Sequence, residues 1–170
     1  MHRELRSIDK PFAMESQAAL YVFTFCIALL VGLDLWPSLA TWLTAAYRPF
    51  GTRLRCVLLR VEETTPRDDD ALARLLDAWP VDLPLALELR HPSWDDDEVH
   101  GQLRARGVAL VTTDTDDLED PPIIRRIGPL LYLRLRRTSY SATDLDAWSA
   151  RLAPFLDDGV DACVFLQIGR

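Results

Sequence analysis

The sequence predicts an α/β protein: a parallel β/α fold of the TIM-barrel-like type, incomplete, with about six of the eight β/α units. Three observations lead there. Short apolar runs alternate with amphipathic stretches in the order βαβαβαβ(α)βαβ, and such alternation builds a parallel sheet joined by helical crossovers. Two of the strands set leucine on one side against charge on the other, which suits a curved sheet better than a flat one. The chain has 170 residues, enough for one domain with a sizeable core. A closed eightfold barrel usually needs ~200 residues or more.

The first strand is read in the apolar run YVFTFCI, Tyr21 to Ile27, rich in aromatic and β-branched residues. Asp34 caps a helix with Pro37 in its first turn, and Leu35, Leu39, Trp42, Leu43 and Ala46 share one face. Gly51 ends it, and Arg53 to Val61 (RLRCVLLRV) is the second strand. Thr64 to Asp70 is an acidic helix start, favourable at the positive end of the helix dipole. Leu72, Leu75, Leu76 and Trp79 continue that helix. Pro84 to Arg90 (PLALELR) is the third strand, followed by HPSW and a second acidic start, Asp95 to Glu98, of a helix ending at Gly107. Val108 to Thr113 and Leu130 to Arg136 (LLYLRLR) are the next two strands. Ser141 and Asp144 form a capping pair for a helix that buries Leu145, Trp148, Leu152 and Phe155. Gly159 closes it before a last strand, Asp161 to Ile168.

Alternation sorts the faces. Leu85, Leu87 and Leu89 share one side of PLALELR, with Ala86, Glu88 and Arg90 on the other. Leu131, Leu133 and Leu135 are likewise opposed to Tyr132, Arg134 and Arg136. An open sheet would need an apolar cover over the charged side, where arginines are costly to bury. Inside a barrel the same side chains line a solvated mouth at the carboxyl ends of the strands. That mouth is the expected site, joined by His91, Ser93 and Trp94, by Thr112, Thr113 and Asp114, and by Arg137, Ser139 and Tyr140.

Within it Glu88, His91 and Asp114 are the candidates for proton transfer. Arg90, Trp94, Arg134, Arg136 and Tyr140 are the candidate substrate contacts, since arginine forks match phosphate and carboxylate. Plainer roles compete at each position. Glu88 and the arginines also read as an internal ion-pair network, His91 as a turn residue before Pro92, and Trp94 as a seal on the barrel end. The acidic runs read as helix caps and solvated loops. Glu88, His91 and Asp114 match no recognised metal-ligand spacing, so no metal is assigned, and no cofactor is identified.

Composition narrows the partners. The net charge is −7, from 26 acidic and 19 basic residues, which argues against a general nucleic-acid grip. A local basic pocket for a small anion is compatible with that balance. Cys26, Cys56 and Cys163 each sit in an apolar run without paired spacing, the pattern of buried free thiols in a reducing cytoplasm. Ser16 to Leu33 carries no charge, a length at the lower limit for a membrane-spanning helix. A membrane anchor through residues 16–33 therefore competes with the strand reading.

The segments ALELRHPSW, VALVTTD, LYLRLRR and YSATDLDAW, in this order, strongly resemble the YecE-like family, domain of unknown function 72. The resemblance covers roughly Asp34 to Phe165, and ELRHPSW is its most specific part. It implies a TIM-like α/β barrel without a settled activity. The family's polar signature falls on Glu88, Arg90, His91, Pro92, Ser93, Trp94, Asp114, Tyr132, Arg134, Tyr140 and Trp148. Departures accompany it. The family's first two strands have no counterpart, Ala28 stands where a lysine is usual, Arg60 where a glutamine is usual, and Val61-Glu62 replaces a leucine-proline step. The last strand ends in Gln167-Ile168-Gly169-Arg170 without the family's polar ending.

Residues 1–33 thus read as an atypical N-terminal segment, a strand remnant or hydrophobic anchor, and residues 34–170 as a partial barrel domain. Three functional readings are open: an enzyme acting on a small anionic substrate at the barrel mouth, a truncated non-catalytic remnant or binding module, and a membrane-anchored soluble domain. Sheet edges left open would favour self-association.

Overall fold

The computed structural model of the chain describes residues 24–26, 45 and 47–167. Among these residues six strands form one sheet in sequential order: β1 (Thr24–Cys26), β2 (Val57–Val61), β3 (Leu85–Leu89), β4 (Ala109–Asp114), β5 (Leu130–Leu135) and β6 (Asp161–Leu166). Every neighbouring pair is parallel. Helices α1 (Asp69–Ala78), α2 (Asp97–Ala105) and α3 (Ala142–Asp157) make the crossovers after β2, β3 and β5. Among the described residues β1 and β6 do not pair, so the sheet is open.

Each helix begins where the sequence supplies an acceptor for its orphan amides. Asp68 accepts the Ala71 amide at 2.8 Å and Asp96 accepts that of Glu98 at 2.8 Å. Ser141 and Asp144 close a full capping box. Arg67 ties the first two starts together, reaching Asp69 at 2.7 Å, Asp96 at 3.0 Å and Glu98 at 2.7 Å. Between β4 and β5 the optional helix does not form. Pro121-Pro122 denies the segment two successive amide donors. Gly128 there lies so close to β4 that a Cβ would sit 2.7 Å from the backbone of Val108 and Ala109.

All three helices pack on one face of the sheet. Val57, Leu59, Val61, Leu85 and Leu87 meet Leu72, Leu75 and Leu76 of α1 and Val99 and Leu103 of α2. Leu131, Leu133 and Leu135 meet Trp148 and Leu152 of α3. Leu87 and Leu133 are 0% exposed, and full burial of such a side chain is worth ~1.5–3 kcal/mol. The leucine side of the alternation is therefore the helix side. One expected member of the α3 contact is not buried: Leu145, in the first turn, is 37% exposed. Tight packing starts a turn later, at Trp148.

The other face carries a second cluster, Cys56, Leu58, Ala86, Ala109, Val111 and Tyr132, to which no helix contributes among the described residues. Tyr132 stacks on Phe165 with centroids 5.0 Å apart. Cys56 and Cys163 are free thiols, and burial pushes the Cys56 thiol up to about 12.

No helix among the described residues is long and apolar enough to cross a membrane. Of the uncharged run at residues 16–33, residues 24–26 pair with β2 as a parallel strand. Its remainder, and the helix expected from Asp34, lie outside the described residues apart from the end of that helix.

Candidate functional site

Register brings the polar residues of four strands to one level on the helix-free face. Arg60 of β2 is the register partner of Glu88 in β3, and Thr113 of β4 that of Arg134 in β5. Glu88 is 2% exposed, a burial that requires its charge to be compensated. Arg134 Nη1 donates to Glu88 Oε2, Thr113 Oγ1 donates to Oε1 at 2.8 Å, and Arg60 Nε stands 4.0 Å from Oε2. The carboxylate thus links β2, β3, β4 and β5 in one layer directly above the apolar cluster.

The next level toward the carboxyl ends is wetter. Arg90 pairs with Glu63 at 3.3 Å and Arg60 with Glu62 at 3.1 Å. Arg136, half-buried, has no carboxylate within 4.0 Å among the described residues. Burial lowers its pKa, helped by repulsion from Arg134, Arg60 and Arg90, while Glu88 works in the opposite direction. Glu88, Arg90, Arg134 and Arg136 therefore share one electrostatic neighbourhood.

Asp114 belongs elsewhere. Its strand neighbour by register is Leu135, on the helix side, so it faces away from Glu88 although both lie near the carboxyl ends of adjacent strands. At 1% exposure it accepts Arg137 Nε at 2.9 Å and the Tyr140 hydroxyl at 2.9 Å. Tyr140 Oη in turn accepts the Arg137 amide at 3.1 Å. Burial is the main cause that pushes the Tyr140 phenol up to about 12. These three line a small cleft of about 60 Å³ with Pro121, Trp148 and Arg151. Arg151 lies over the Trp148 ring, 4.3 Å from its centroid.

Two further site candidates have other engagements. Trp94, 2% exposed, packs among the residues between sheet and helices and donates its indole N–H to the Thr65 carbonyl at 3.0 Å. His91 caps the turn Pro92–Trp94, accepting the Ser93 amide on Nδ1 at 3.2 Å. The structure thus brings together Glu88, Arg90, Arg134 and Arg136, and separately Asp114 and Tyr140. It adds Arg60, Thr113, Glu62 and Glu63 to the first group. Arg60 was legible in RLRCVLLRV, where it shares parity with Leu58 and Cys56, but its partner was not. Among the described residues no three His, Cys, Asp or Glu side chains gather as metal ligands.

No curated protein matches the chain. The fold is similar to the crystal structure of a DUF72 family protein from Thermotoga maritima, 20% identical with a TM-score of 0.67, over 86% of this chain and 66% of that one. Two crystal structures of a DUF72 family protein from Enterococcus faecalis are also similar. One is 17% identical with a TM-score of 0.61, over 75% of this chain and 59% of that one. The other is 16% identical with a TM-score of 0.68, over 87% and 67%. The chain spans less than two thirds of the length of the first two. At these identities the likeness concerns the fold. Residues 34–168 match the family described as "Protein of unknown function DUF72". On that match, with the shared parallel α/β architecture beside it, the chain belongs to the DUF72 family, for which the names YecE-like and domain of unknown function 72 are equivalent.

Proposed function

We propose that the helix-free face at the carboxyl ends of the strands binds a small anion, with Arg136 as its principal contact and Arg90 and Arg134 beside it. The observation that carries this is the state of Arg136: half-buried, crowded by Arg134, Arg60 and Arg90, and without a carboxylate within 4.0 Å among the described residues. A guanidinium in such a field gains from an oxyanion more than an isolated surface arginine does. The finer fold reading supports the same place. Sequential parallel order, helices on one face and a strand-only cluster on the other are what one wall of a TIM-like barrel presents, and its mouth is where ligands bind.

Binding without catalysis is favoured over an enzyme by one observation. The three proton-transfer candidates do not converge: Asp114 faces the helices, His91 caps a turn, and Glu88 is engaged by Arg134 and Thr113. The free thiols and the absence, among the described residues, of a helix able to cross a membrane are in keeping with a cytoplasmic protein. Titration calorimetry with inorganic phosphate and with acetate tests the site. Arg136→Gln should weaken binding by about 10- to 100-fold, the loss of a charge-assisted hydrogen bond. Absence of millimolar binding of either anion to the wild-type chain would overturn the reading.

A further inference from the structure

We propose that Glu63, in the turn after β2, is an internal competitor that makes the anion site select for charge: a monoanion binds beside Glu63, whereas a phosphate-like dianion must displace Glu63 from Arg90. The inference rests on the anion site just described and deepens it. Of the four arginines on this face, Arg134 is committed to the buried Glu88 and Arg60 is shared between Glu88 and Glu62. Arg136 alone of the four has no carboxylate within 4.0 Å among the described residues, which leaves it able to answer one negative charge. Among the described residues on this face, the further guanidinium that can be released cheaply is Arg90. Its partner Glu63 is 66% exposed, and the contact is a single one at 3.3 Å.

The two glutamates are not equivalent. Glu62 is held closer, at 3.1 Å, and is less exposed, at 38%. Its Arg60 also supports Glu88, so removing it would disturb the buried layer. Among the described residues Glu63 pairs with Arg90 and with no other arginine of this face. An exposed pair with one contact contributes little to folding and is readily exchanged for water or another anion. Arg90 and Arg136 directly follow β3 and β5, the two strands that flank β4, and Arg136 feels the repulsion of Arg90, so one ligand carrying two charges can answer both. Asp117, whose carboxylate Arg90 also stabilises from a distance, is a further acidic group near Arg90. A singly charged ligand is answered by Arg136 alone and does not require Arg90.

The test is calorimetry on the full chain with inorganic phosphate near pH 8 as the dianion and acetate as the monoanion. Glu63→Gln should tighten phosphate binding by about fivefold, the upper range for releasing an exposed ion pair, and leave acetate within about twofold. Glu63→Ala should do the same, because the effect is one of charge. At 66% exposure neither change should move the thermal midpoint appreciably, which a melt checks. Unchanged phosphate affinity in both variants, with Arg136→Gln still weakening it, overturns the competitor role and leaves the anion site standing. Equal tightening of acetate and phosphate also overturns it, since the residue would then act only as a general repulsive charge. Failure of every variant to bind either anion overturns the site itself.

Discussion

Replacing Glu88 by alanine removes the carboxylate on which Arg134, Arg60 and the Thr113 hydroxyl converge. The glutamate is 2% exposed, and its arginine partners retain 13% and 19%. Deleting one member of a buried pair costs about 3–5 kcal/mol because the other is left uncompensated. The remaining access of both guanidinia to water places this case at the lower end, near 3 kcal/mol. With a urea slope of ~2 kcal/mol per molar, the unfolding midpoint should fall by ~1.5 M. Urea denaturation followed by circular dichroism and by tryptophan fluorescence measures it, coincident curves establishing a two-state transition. A control separates charge from packing. The double variant Glu88→Leu with Arg134→Met, which removes both charges and keeps volume, should recover at least half of the loss. A midpoint for Glu88→Ala within ~0.3 M of wild type would refute the argument that this layer is buried and mutually dependent.

Asp114→Ala should cost about 3 kcal/mol in the same assay, since Arg137 and Tyr140 both lose their acceptor. Tyr140→Phe should cost about 1 kcal/mol, and the two should be less than additive because they share one network. Cys56 and Tyr140 hold their protons more tightly folded than unfolded, both pushed up to about 12 from 9.0 and 10.0. Their stabilisation is whole below about pH 9 and is lost as pH rises toward 12, so the midpoint should decline across that window; a flat profile would refute it. The open sheet edges should promote self-association. Light scattering should show a concentration-dependent mass that Val164→Lys with Leu166→Lys, two exposed apolar positions on β6, reduces toward the monomer.

Much of the architecture is legible locally. Asp68, Asp96 and Ser141 terminate their helices through contacts within a few residues of themselves, so no distant information is needed. The alternation in PLALELR and LLYLRLR marks one parity as leucine-only, and a leucine-only side has to be the helix side. That reasoning places Glu88, Arg90, Arg134 and Arg136 together before any register is known. The same logic gives no answer for ALVTTD. Ala109, Val111 and Thr113 stand against Leu110, Thr112 and Asp114, neither set being leucine-only, so this test does not say which of them meets the helices.

The class of fold, the helix starts and the charged face are written in the chain, because they follow from periodicity and capping within single segments. What each polar group does was settled by strand register and packing. Pairing Ala86 with Ala109, and Thr113 with Arg134, turned Thr113 toward Glu88 and sent Asp114 to the opposite side of the sheet. Packing between sheet and helices took Trp94 into the core, where Thr65 offered its indole a carbonyl. Partner choice among the arginines was likewise settled by register and burial. Charge complementarity is satisfied equally well by many pairings along the chain, and the strand alignment selects among them.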